Sequence, residues 1–316
     1  MREINVLTAD EASVEGFLSV SAASPHQPQL REYAHSLLQQ GCTRPDWCML
    51  ALDADAPVAR AALWALPNEA VPSDVVLIDA NWAEPDLSGG HVLLKRIHEL
   101  AAALGARELQ HHVDSPPGPP QYQEGESERV RLLTEAWYEL QRDGLRWLYT
   151  ASAAAQPPPE SSLAFRGLPE VGEEVFVEAL AATYEGTRDS ILTRHIQEHG
   201  LLGAARSDFA DYQQMEYLPE WWELAYAEDG ALAGVIMSAR NPSSAVIGHV
   251  GVAPQQRGRG FAVQLVRRGT AQLVAAGAGE IRGDCDRGNV PMVKAFQRAG
   301  YEQTARRRSF RCPLRS

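Results

Sequence analysis

The sequence predicts an α+β fold in two tandem domains, each a mostly antiparallel mixed sheet flanked by helices. With 316 residues, the chain exceeds the length of one ordinary domain. Apolar residues recur at helical spacing in some segments and form short strand-like runs in others, so helices and strands are mixed along the chain. Two short segments of the first half recur in the second half, which predicts two copies of one fold.

The recurring segments place an insertion in the first copy. LGAREL at 104–109 is similar to AGAGEI at 276–281, and LQRDGL at 140–145 is similar to FQRAGY at 296–301. The glycines of the two segments lie 39 positions apart in the first half and 23 apart in the second. The Pro/Gly-rich stretch at 115–120 explains the longer spacing, and we predict that it is an exposed loop.

Composition sets the predicted domain boundaries. Residues 151–162 contain three consecutive prolines among alanines and serines, which is typical of a stiff, extended linker. We therefore predict a first domain at 1–150 and a second domain at 163–316.

Composition also excludes several classes of protein. No run of eighteen apolar residues is present, and the first residues lack the apolar core of a signal peptide, so we expect no membrane span and a cytoplasmic location. The cysteines show no metal-ligand spacing, so we expect reduced thiols and no bound metal. The net charge of −12 argues against nucleic acids and anionic membranes as partners. A homodimer stays open.

Charge is divided unevenly within the second half. Residues 163–256 hold 5 basic and 14 acidic side chains, whereas residues 257–316 hold 13 basic and 4 acidic ones. This division suits a polyanionic ligand on the C-terminal side and a cationic ligand on the other. A solvated surface with uneven charge is the alternative for the acidic side.

The elements of the second domain follow from apolar spacing and from the glycines and prolines that interrupt it. They are predicted, in order, as a strand at 163–166, helices at 171–185 and 188–199, strands at 222–227, 232–240 and 245–252, a helix ending near 277, a strand at 280–285, a helix at 290–299 and closing strands from 301.

Residues 250–262, with the sequence VGVAPQQRGRGFA, carry the most specific signal. They are typical of the end of a buried strand, a tight turn and the start of an amphipathic helix. Gly258 and Gly260 let a phosphate approach backbone N–H groups, and a helix N-terminus attracts anions. Arg257 and Arg259 add positive charge. The segment predicts a pyrophosphate site, with a plain helix entry as the alternative; a dinucleotide fold would need a glycine where Val263 stands.

This turn resembles the acetyl-CoA-binding motif of the GNAT superfamily of N-acetyltransferases, Q/R-x-x-G-x-G/A, through Gln255, Gly258 and Gly260. A second GNAT signature follows in the expected order, because NxxMxxAFxxxGY at 289–301 is similar to NxxAxxLYxxxGF. Two motifs in the right order are more specific than a short Gly-x-Gly. The resemblance implies the GNAT fold, with acetyl-CoA as the acyl donor.

The resemblance also implies individual roles. The strand ending at Val252 splays at a bulge and pairs its backbone with the pantetheine arm, so that the N–H of Val250 stabilises the thioester oxygen. N–H groups of the turn hold the pyrophosphate, and Asn289 binds pantetheine or positions the splayed strand. The residues assigned to the cofactor are Val250, Val252, Gln255, Arg257, Gly258, Arg259, Gly260, Phe261, Ala262, Asn289 and Phe296.

Two positions, Phe296 and His249, bear on the proton transfers of the reaction. The family often has a tyrosine, which protonates the departing thiolate, where this chain has Phe296, and phenylalanine has no proton to give. His249 is the one ionisable residue of its strand and is our candidate general base, because imidazole titrates in the useful range. A structural histidine is the alternative.

Acceptor contacts are assigned to the predicted turn between the first two helices and to an aromatic pair. Glu185 and Asp189 could bind an amine, with helix capping in this turn as the alternative. Trp222 could present its ring to the acceptor, with core packing as the alternative.

The first half lacks the cofactor turn. It has PDLSGG at 85–90, without arginine and with Asp86, whose charge would repel a pyrophosphate. We therefore predict one acetyl-CoA site per chain and an N-acetyltransferase in which a small-molecule primary amine attacks acetyl-CoA directly in the C-terminal domain. The alternatives are a non-catalytic acyl-CoA-binding or regulatory protein, and an interaction protein that uses the acidic first domain.

Overall fold

The computed structural model describes residues 4–9, 14–21, 24–151, 161–241 and 244–314. Two compact units result, one of residues 1–142 with 307–316 and the other of residues 143–306. Most of the predicted linker 151–162 lies outside the described residues. No helix in the described ranges is long and apolar enough to cross a membrane.

The first unit is a mixed sheet with helices packed against it. Its strands are β1 Ile4–Thr8, β2 Cys48–Asp53, β3 Ala56–Trp64, β4 Asp74–Ala80 and β5 Glu108–Ser115. Its helices are α1 Val14–Leu18, α2 Gln27–Gln39, α3 Ser88–Ala103 and α4 Glu126–Glu135. Strands β1 to β4 pair antiparallel in sequence order, and β4 pairs parallel with β5. The apolar stripe of α3 packs into the core through residues such as Leu93, Leu94 and Ile97.

The second unit has the same mixture of elements. Its strands are most of β6 Glu139–Thr150, then β7 Ala164–Gly167, β8 Trp222–Tyr226, β9 Leu232–Asn241, β10 Ser244–Val252, β11 Glu280–Asp286 and the start of β12 Glu302–Pro313. Its helices are α5 Leu168–Val171, α6 Glu173–Tyr184, α7 Ser190–Tyr212, α8 Phe261–Ala275 and α9 Val290–Arg298. The sheet order is β6-β11-β10-β9-β8-β7, and only β10 and β11 pair parallel. These mostly antiparallel sheets confirm the predicted α+β class.

The compact units differ from the predicted stretches 1–150 and 163–316. β6 pairs antiparallel with β11 from Gly144 to Thr150, and this ladder assigns residues 143–150 to the second unit. Residues 307–314 belong to the first unit, where the N–H of Leu314 donates to the carbonyl of Arg107 at 2.8 Å. Linker composition cannot reveal this assignment, because strand pairing depends on residues distant in sequence.

The structure agrees with the internal similarity at residues 104–109 and 276–281. It does not agree with the alignment of residues 140–145 with 296–301. Gly105 and Gly277 follow the ends of α3 and α8 with φ angles of 94° and 86°. Gly300 follows α9 with a φ of 92°, and its counterpart after α4 is Trp137 with a φ of 68°, not Gly144. Gly144 lies inside β6, so the insertion in the first copy is shorter than the glycine spacing predicted.

The second long helix also differs from its predicted extent. The sequence predicted a helix at 188–199 that ends before Gly200. The chain kinks at Gly200, where φ is 71°, and then continues as a helix to Tyr212. The glycine therefore marks a kink, and the segment after it packs Ala204, Ala205 and Phe209 into the core.

Candidate functional site

A cavity of about 630 Å³ opens in the second unit where β10 and β11 diverge. The two strands pair only from Ala245 and Val246 of β10 to Ile281 and Arg282 of β11. Residues of the α6–α7 turn, β10, the turn after β10, α8 and α9 line it. The predicted site residues among them are His249, Val250, Val252, Arg257, Gly258, Gly260, Phe261, Ala262 and Asn289.

A bulge in β10 sets the direction of its last residues. The register with β9 shifts between Ile247 and His249, so Gly248 is unpaired. The hydroxyl of Tyr212 donates to the carbonyl of Gly248 at 2.8 Å and holds the bulge from α7. The expected bulge and splay are therefore both present at this strand.

The backbone of Val250 faces the cavity. The N–H of Ala253 donates to Ala233 of β9 at 3.0 Å. Because backbone groups alternate in direction along an antiparallel strand, Gly251 also faces β9, whereas Val250 and Val252 face away from it. The carbonyl of Val252 accepts from Nε of Arg257 at 3.1 Å, which agrees with this direction. An N–H donor at Val250 is thus available to a ligand.

The turn after β10 continues this row of donors. Gly258 and Gly260 adopt φ angles of 81° and 83°, and no heavy atom lies within 4 Å of a Cβ built on either. Gly260 precedes α8, and no side chain caps that helix. The first N–H groups of α8 are therefore open to an anion.

The two arginines of the turn have different surroundings. The guanidinium of Arg257 donates to four backbone carbonyls, so four of its five N–H donors are used within the protein. Arg259 donates to the side chain of Gln256 and lies 4.9 Å from the ring centroid of Phe261. The structure places neither Arg259 nor the exposed Gln255 in the cavity lining.

The charge of the cavity comes from basic residues only. Besides Arg257, three basic residues line the cavity: Arg188, Lys294 and Arg298. All three are exposed, and none makes an ion pair with a described residue. None of the described lining residues is acidic. The cavity therefore favours a ligand with several negative charges.

His249 stands on the cavity wall just after the bulge. The residue is partly exposed, but its Nε2 is buried and has no hydrogen-bond partner within the described ranges. Burial lowers the pKa of His249 to about 4, and the negative charge of Asp208 opposes this shift. The rings of Tyr184 and Tyr212 lie 5.5 Å and 6.4 Å away, centroid to centroid. The imidazole is therefore neutral at neutral pH and can accept a proton.

Phe296 belongs to the core. Its side chain is 1% exposed, stacks on Trp147 at 5.8 Å and meets the edge of Tyr301 at 5.1 Å. The hydroxyl of Tyr301 is hydrogen-bonded to Thr270 at 2.7 Å, and burial raises its pKa. No tyrosine is found among the described residues that line the cavity.

The predicted acceptor residues lie outside the cavity lining. Asp189 caps α7 by accepting from the N–H of Leu192 at 2.9 Å, and the side chain of Glu185 is exposed. Trp222 is fully buried, and its Nε1 donates to the carbonyl of Ser238 at 3.1 Å. The alternatives of capping and core packing describe Asp189 and Trp222 better than acceptor contact does.

Sequence reasoning missed part of the cavity wall. Pro291, Lys294, Ala295 and Arg298 line it from α9. Their spacing of three and four residues places them on one helix face, a signal that the sequence contains. Asn289 caps the same helix by accepting from the N–H of Met292 at 3.4 Å.

Comparison with known proteins agrees with this geometry. Residues 193–301 match the family described as the acetyltransferase (GNAT) family. The second unit contains a GNAT domain. No curated protein matches the chain closely enough in sequence to be compared with it.

Solved structures support the tandem form of the GNAT fold. A GCN5-related N-acetyltransferase from Sphaerobacter thermophilus has a TM-score of 0.59 and 19% identity, covering 99% of this chain and 96% of that one. A tandem GNAT protein from the clavulanic acid biosynthesis pathway has a TM-score of 0.50 and 16% identity, covering 100% and 99%. At these identities the likeness concerns the fold alone. The chain is therefore a tandem GNAT-fold protein, and this fold supports acyl transfer in general.

The place beside β4 in the first unit corresponds to the opening beside β10 in the second. β4 and β5 pair at one position, Asp74 with Gln110, as β10 and β11 pair at two. Beyond it, Oε1 of Gln121 accepts from the N–H of Leu77 at 2.8 Å, and Gln123 bonds to the backbone of β5. Side chains that follow the Pro/Gly-rich loop thus occupy the position that is open in the GNAT domain.

The glycines at the start of α3 serve packing in the first unit. A Cβ on Gly89 would lie 2.9 Å from the side chain of Val58, and one on Gly90 would lie 2.7 Å from that of Leu132. These glycines let the helix approach its neighbours closely. In contrast, Gly258 and Gly260 have free space where a Cβ would lie. Within the described ranges no group of three potential metal ligands lies together.

Proposed function

We propose that the GNAT domain transfers an acetyl group from acetyl-CoA to the primary amine of a small molecule by direct attack. The observation that carries this proposal is the outward N–H of Val250 beside a cavity that ends at the uncapped N-terminus of α8. Acetyl-CoA supplies an activated acyl group and a polyanionic handle for binding. The residues that line the cavity fit both parts.

The donors of the cavity would divide between the two parts of acetyl-CoA. N–H groups from Gly258 to Ala262 suit the pyrophosphate, and Arg188, Lys294 and Arg298 suit the remaining negative charge. The backbone of Val250 and Val252 suits the amides of the pantetheine arm. The N–H of Val250 would also stabilise negative charge that develops on the thioester oxygen.

The proton balance of the transfer involves His249. The nitrogen–carbon bond forms as the carbon–sulfur bond breaks, the amine loses a proton and the thiolate gains one. With a pKa of about 4, His249 is neutral at neutral pH but is a weak base, so the amine attacks in its uncharged form and His249 accepts the proton only as the nitrogen becomes cationic during attack. The thiolate takes its proton from water, since no tyrosine lies among the described lining residues.

The test measures free thiol released from acetyl-CoA with a panel of amines that includes amino sugars, amino acids and polyamines. Gly260→Asp places a carboxylate in the pyrophosphate position and abolishes release. Gly230→Asp is the matched control, because Gly230 has a φ of 78°, is exposed and also has no heavy atom within 4 Å of a built Cβ. Equal loss in both variants would contradict the assigned pyrophosphate position.

A non-catalytic acyl-CoA-binding protein is the second candidate, favoured by the burial of Phe296 and by the lack of a phenol among the described lining residues. Calorimetry separates the two functions. Binding of acetyl-CoA without thiol release for any amine supports the second candidate, whereas amine-dependent release supports the first.

A further inference from the structure

The turn at 185–189, between α6 and α7, forms one wall of the cavity. Gly186, Thr187 and Arg188 line it from this turn. The turn is fastened at two points, one at the end of β10 and one at the end of β11. These are the two strands whose divergence opens the cavity.

The first fastening is the guanidinium of Arg257. Its Nη1 donates to the carbonyl of Gly186 at 3.1 Å, and its Nη2 donates to the carbonyls of Glu185 at 2.6 Å and Thr183 at 3.2 Å. Its Nε donates to the carbonyl of Val252 at 3.1 Å. One side chain thus joins the C-terminal end of α6 to the end of β10, at a helix end where a positive charge is favourable.

The second fastening is the carboxylate of Asp286, the last residue of β11. Its Oδ2 accepts from the N–H of Ser190, the first residue of α7, at 2.8 Å. Asp286 is buried, with 7% of its surface exposed. A hydrogen bond to a buried carboxylate is among the stronger ones in a protein.

We propose that Arg257 and Asp286 are positioning residues that hold the turn at 185–189 against the cavity from both strands. Arg257 belongs to the turn that suits the pyrophosphate, so a ligand bound there also orders the opposite wall. This coupling rests on the proposed acetyl-CoA site, whereas the fastening itself does not. The sequence motif predicted that Arg257 adds positive charge to the pyrophosphate site. Its hydrogen bonds to four carbonyls indicate that it also positions the turn.

The test is hydrogen exchange, followed by mass spectrometry, on the full chain without ligand. Arg257→Lys keeps the charge but loses the planar fork, and Asp286→Ala removes the acceptor of Ser190. We expect amides at 186–192 to exchange at least tenfold faster in each variant, since two or more hydrogen bonds are lost or one charged acceptor is removed. Arg240→Lys is the matched control, because the guanidinium of Arg240 also donates to a backbone carbonyl, that of Ala276, and Arg240 does not line the cavity.

The conservative variant Asp286→Asn separates positioning from general destabilisation, because its amide oxygen still accepts the N–H of Ser190. We expect it to restore slow exchange at 186–192. Unchanged exchange in folded Arg257→Lys and Asp286→Ala, or the same acceleration in Arg240→Lys, overturns the proposal. If a variant unfolds, the comparison of Asp286→Asn with the wild type decides, since exchange at 186–192 must then stay slow.

Acetyl-CoA added to the wild type tests the coupling. We expect it to slow exchange at 257–262 and at 186–192 together, and in Arg257→Lys only at 257–262. Slower exchange at 257–262 alone in the wild type overturns the coupling. If exchange at 257–262 does not change, the proposed acetyl-CoA site is contradicted instead. The roles of Arg257 and Asp286 in holding the turn are then tested by the exchange measured without ligand.

Discussion

The substitution Phe296→Tyr tests whether a hydroxyl at this position can protonate the departing thiolate. Phe296→Tyr restores the residue that GNAT proteins often carry here, so a prediction from the motif alone is faster thiol release. The structure leads to the opposite expectation, because the ring is 1% exposed and enclosed by Trp147, Tyr301 and Gly283. A Cβ built on Gly283 would lie 2.7 Å from Cζ of Phe296, which leaves little room for a hydroxyl at that atom.

The expected cost has two parts. Overpacking a tight core costs about 1–3 kcal/mol, and burying a hydroxyl without a partner costs about 1–3 kcal/mol. We expect Phe296→Tyr to lower the free energy of unfolding by about 2–6 kcal/mol. At about 2–4 °C per kcal/mol for a unit of this size, this corresponds to a fall in Tm of roughly 4–24 °C.

The assay combines thermal unfolding with thiol release per folded molecule. Phe165→Tyr is the matched control, because Phe165 is half-buried, and we expect less than about 1 kcal/mol of destabilisation there. An unchanged Tm together with a higher kcat in Phe296→Tyr would refute the reasoning, since the hydroxyl would then have to reach the cavity.

Three further expectations concern the cavity of the GNAT domain. Calorimetry gives one acetyl-CoA per chain, because side chains fill the corresponding place beside β4 of the first unit, and a stoichiometry of two would contradict this reading. Lys294→Ala and Arg298→Ala each weaken acetyl-CoA binding about threefold to tenfold at low salt and reduce its salt dependence; equal losses at high salt would point to a structural effect. The folded pKa of His249, about 4, lies below the unfolded value of about 6.5, so the unfolded chain binds this proton first and stability falls as the pH drops from 6.5 to 4. His249→Gln therefore flattens this part of the pH dependence in urea titrations by about 3 kcal/mol, and an unchanged slope would contradict the buried neutral imidazole.

Much of the part of the cavity that we propose binds acetyl-CoA could be predicted from local sequence. Gly258 and Gly260 adopt positive φ angles, and α8 begins directly after them at Phe261. The α9 stripe that contains Lys294 and Arg298 is also present in the sequence, although only the cavity gives it a meaning. These features follow from neighbouring residues, because backbone conformation and helix periodicity are set over a few positions.

The acceptor side could not be predicted in the same way. Trp222 and Asp189 have residue types that suit a ligand, yet one is fully buried and the other caps α7. The similarity between halves placed Gly144 opposite Gly300, whereas the helix end in the first unit is at Trp137. The residue type determines which contacts a side chain can make. Its burial in the folded chain determines whether it contacts a ligand or the protein core.

The sequence by itself determined the glycine turn, the helix that follows it and the mixed α+β class, since each depends on spacing within a short segment. Tertiary structure decided what the side chains do there. Arg257 is bonded to carbonyls as far as 74 residues before it, Phe296 faces the core, and burial holds the pKa of His249 at about 4. The physical reason is that desolvation and hydrogen-bond partnership depend on segments that only the folded chain brings together.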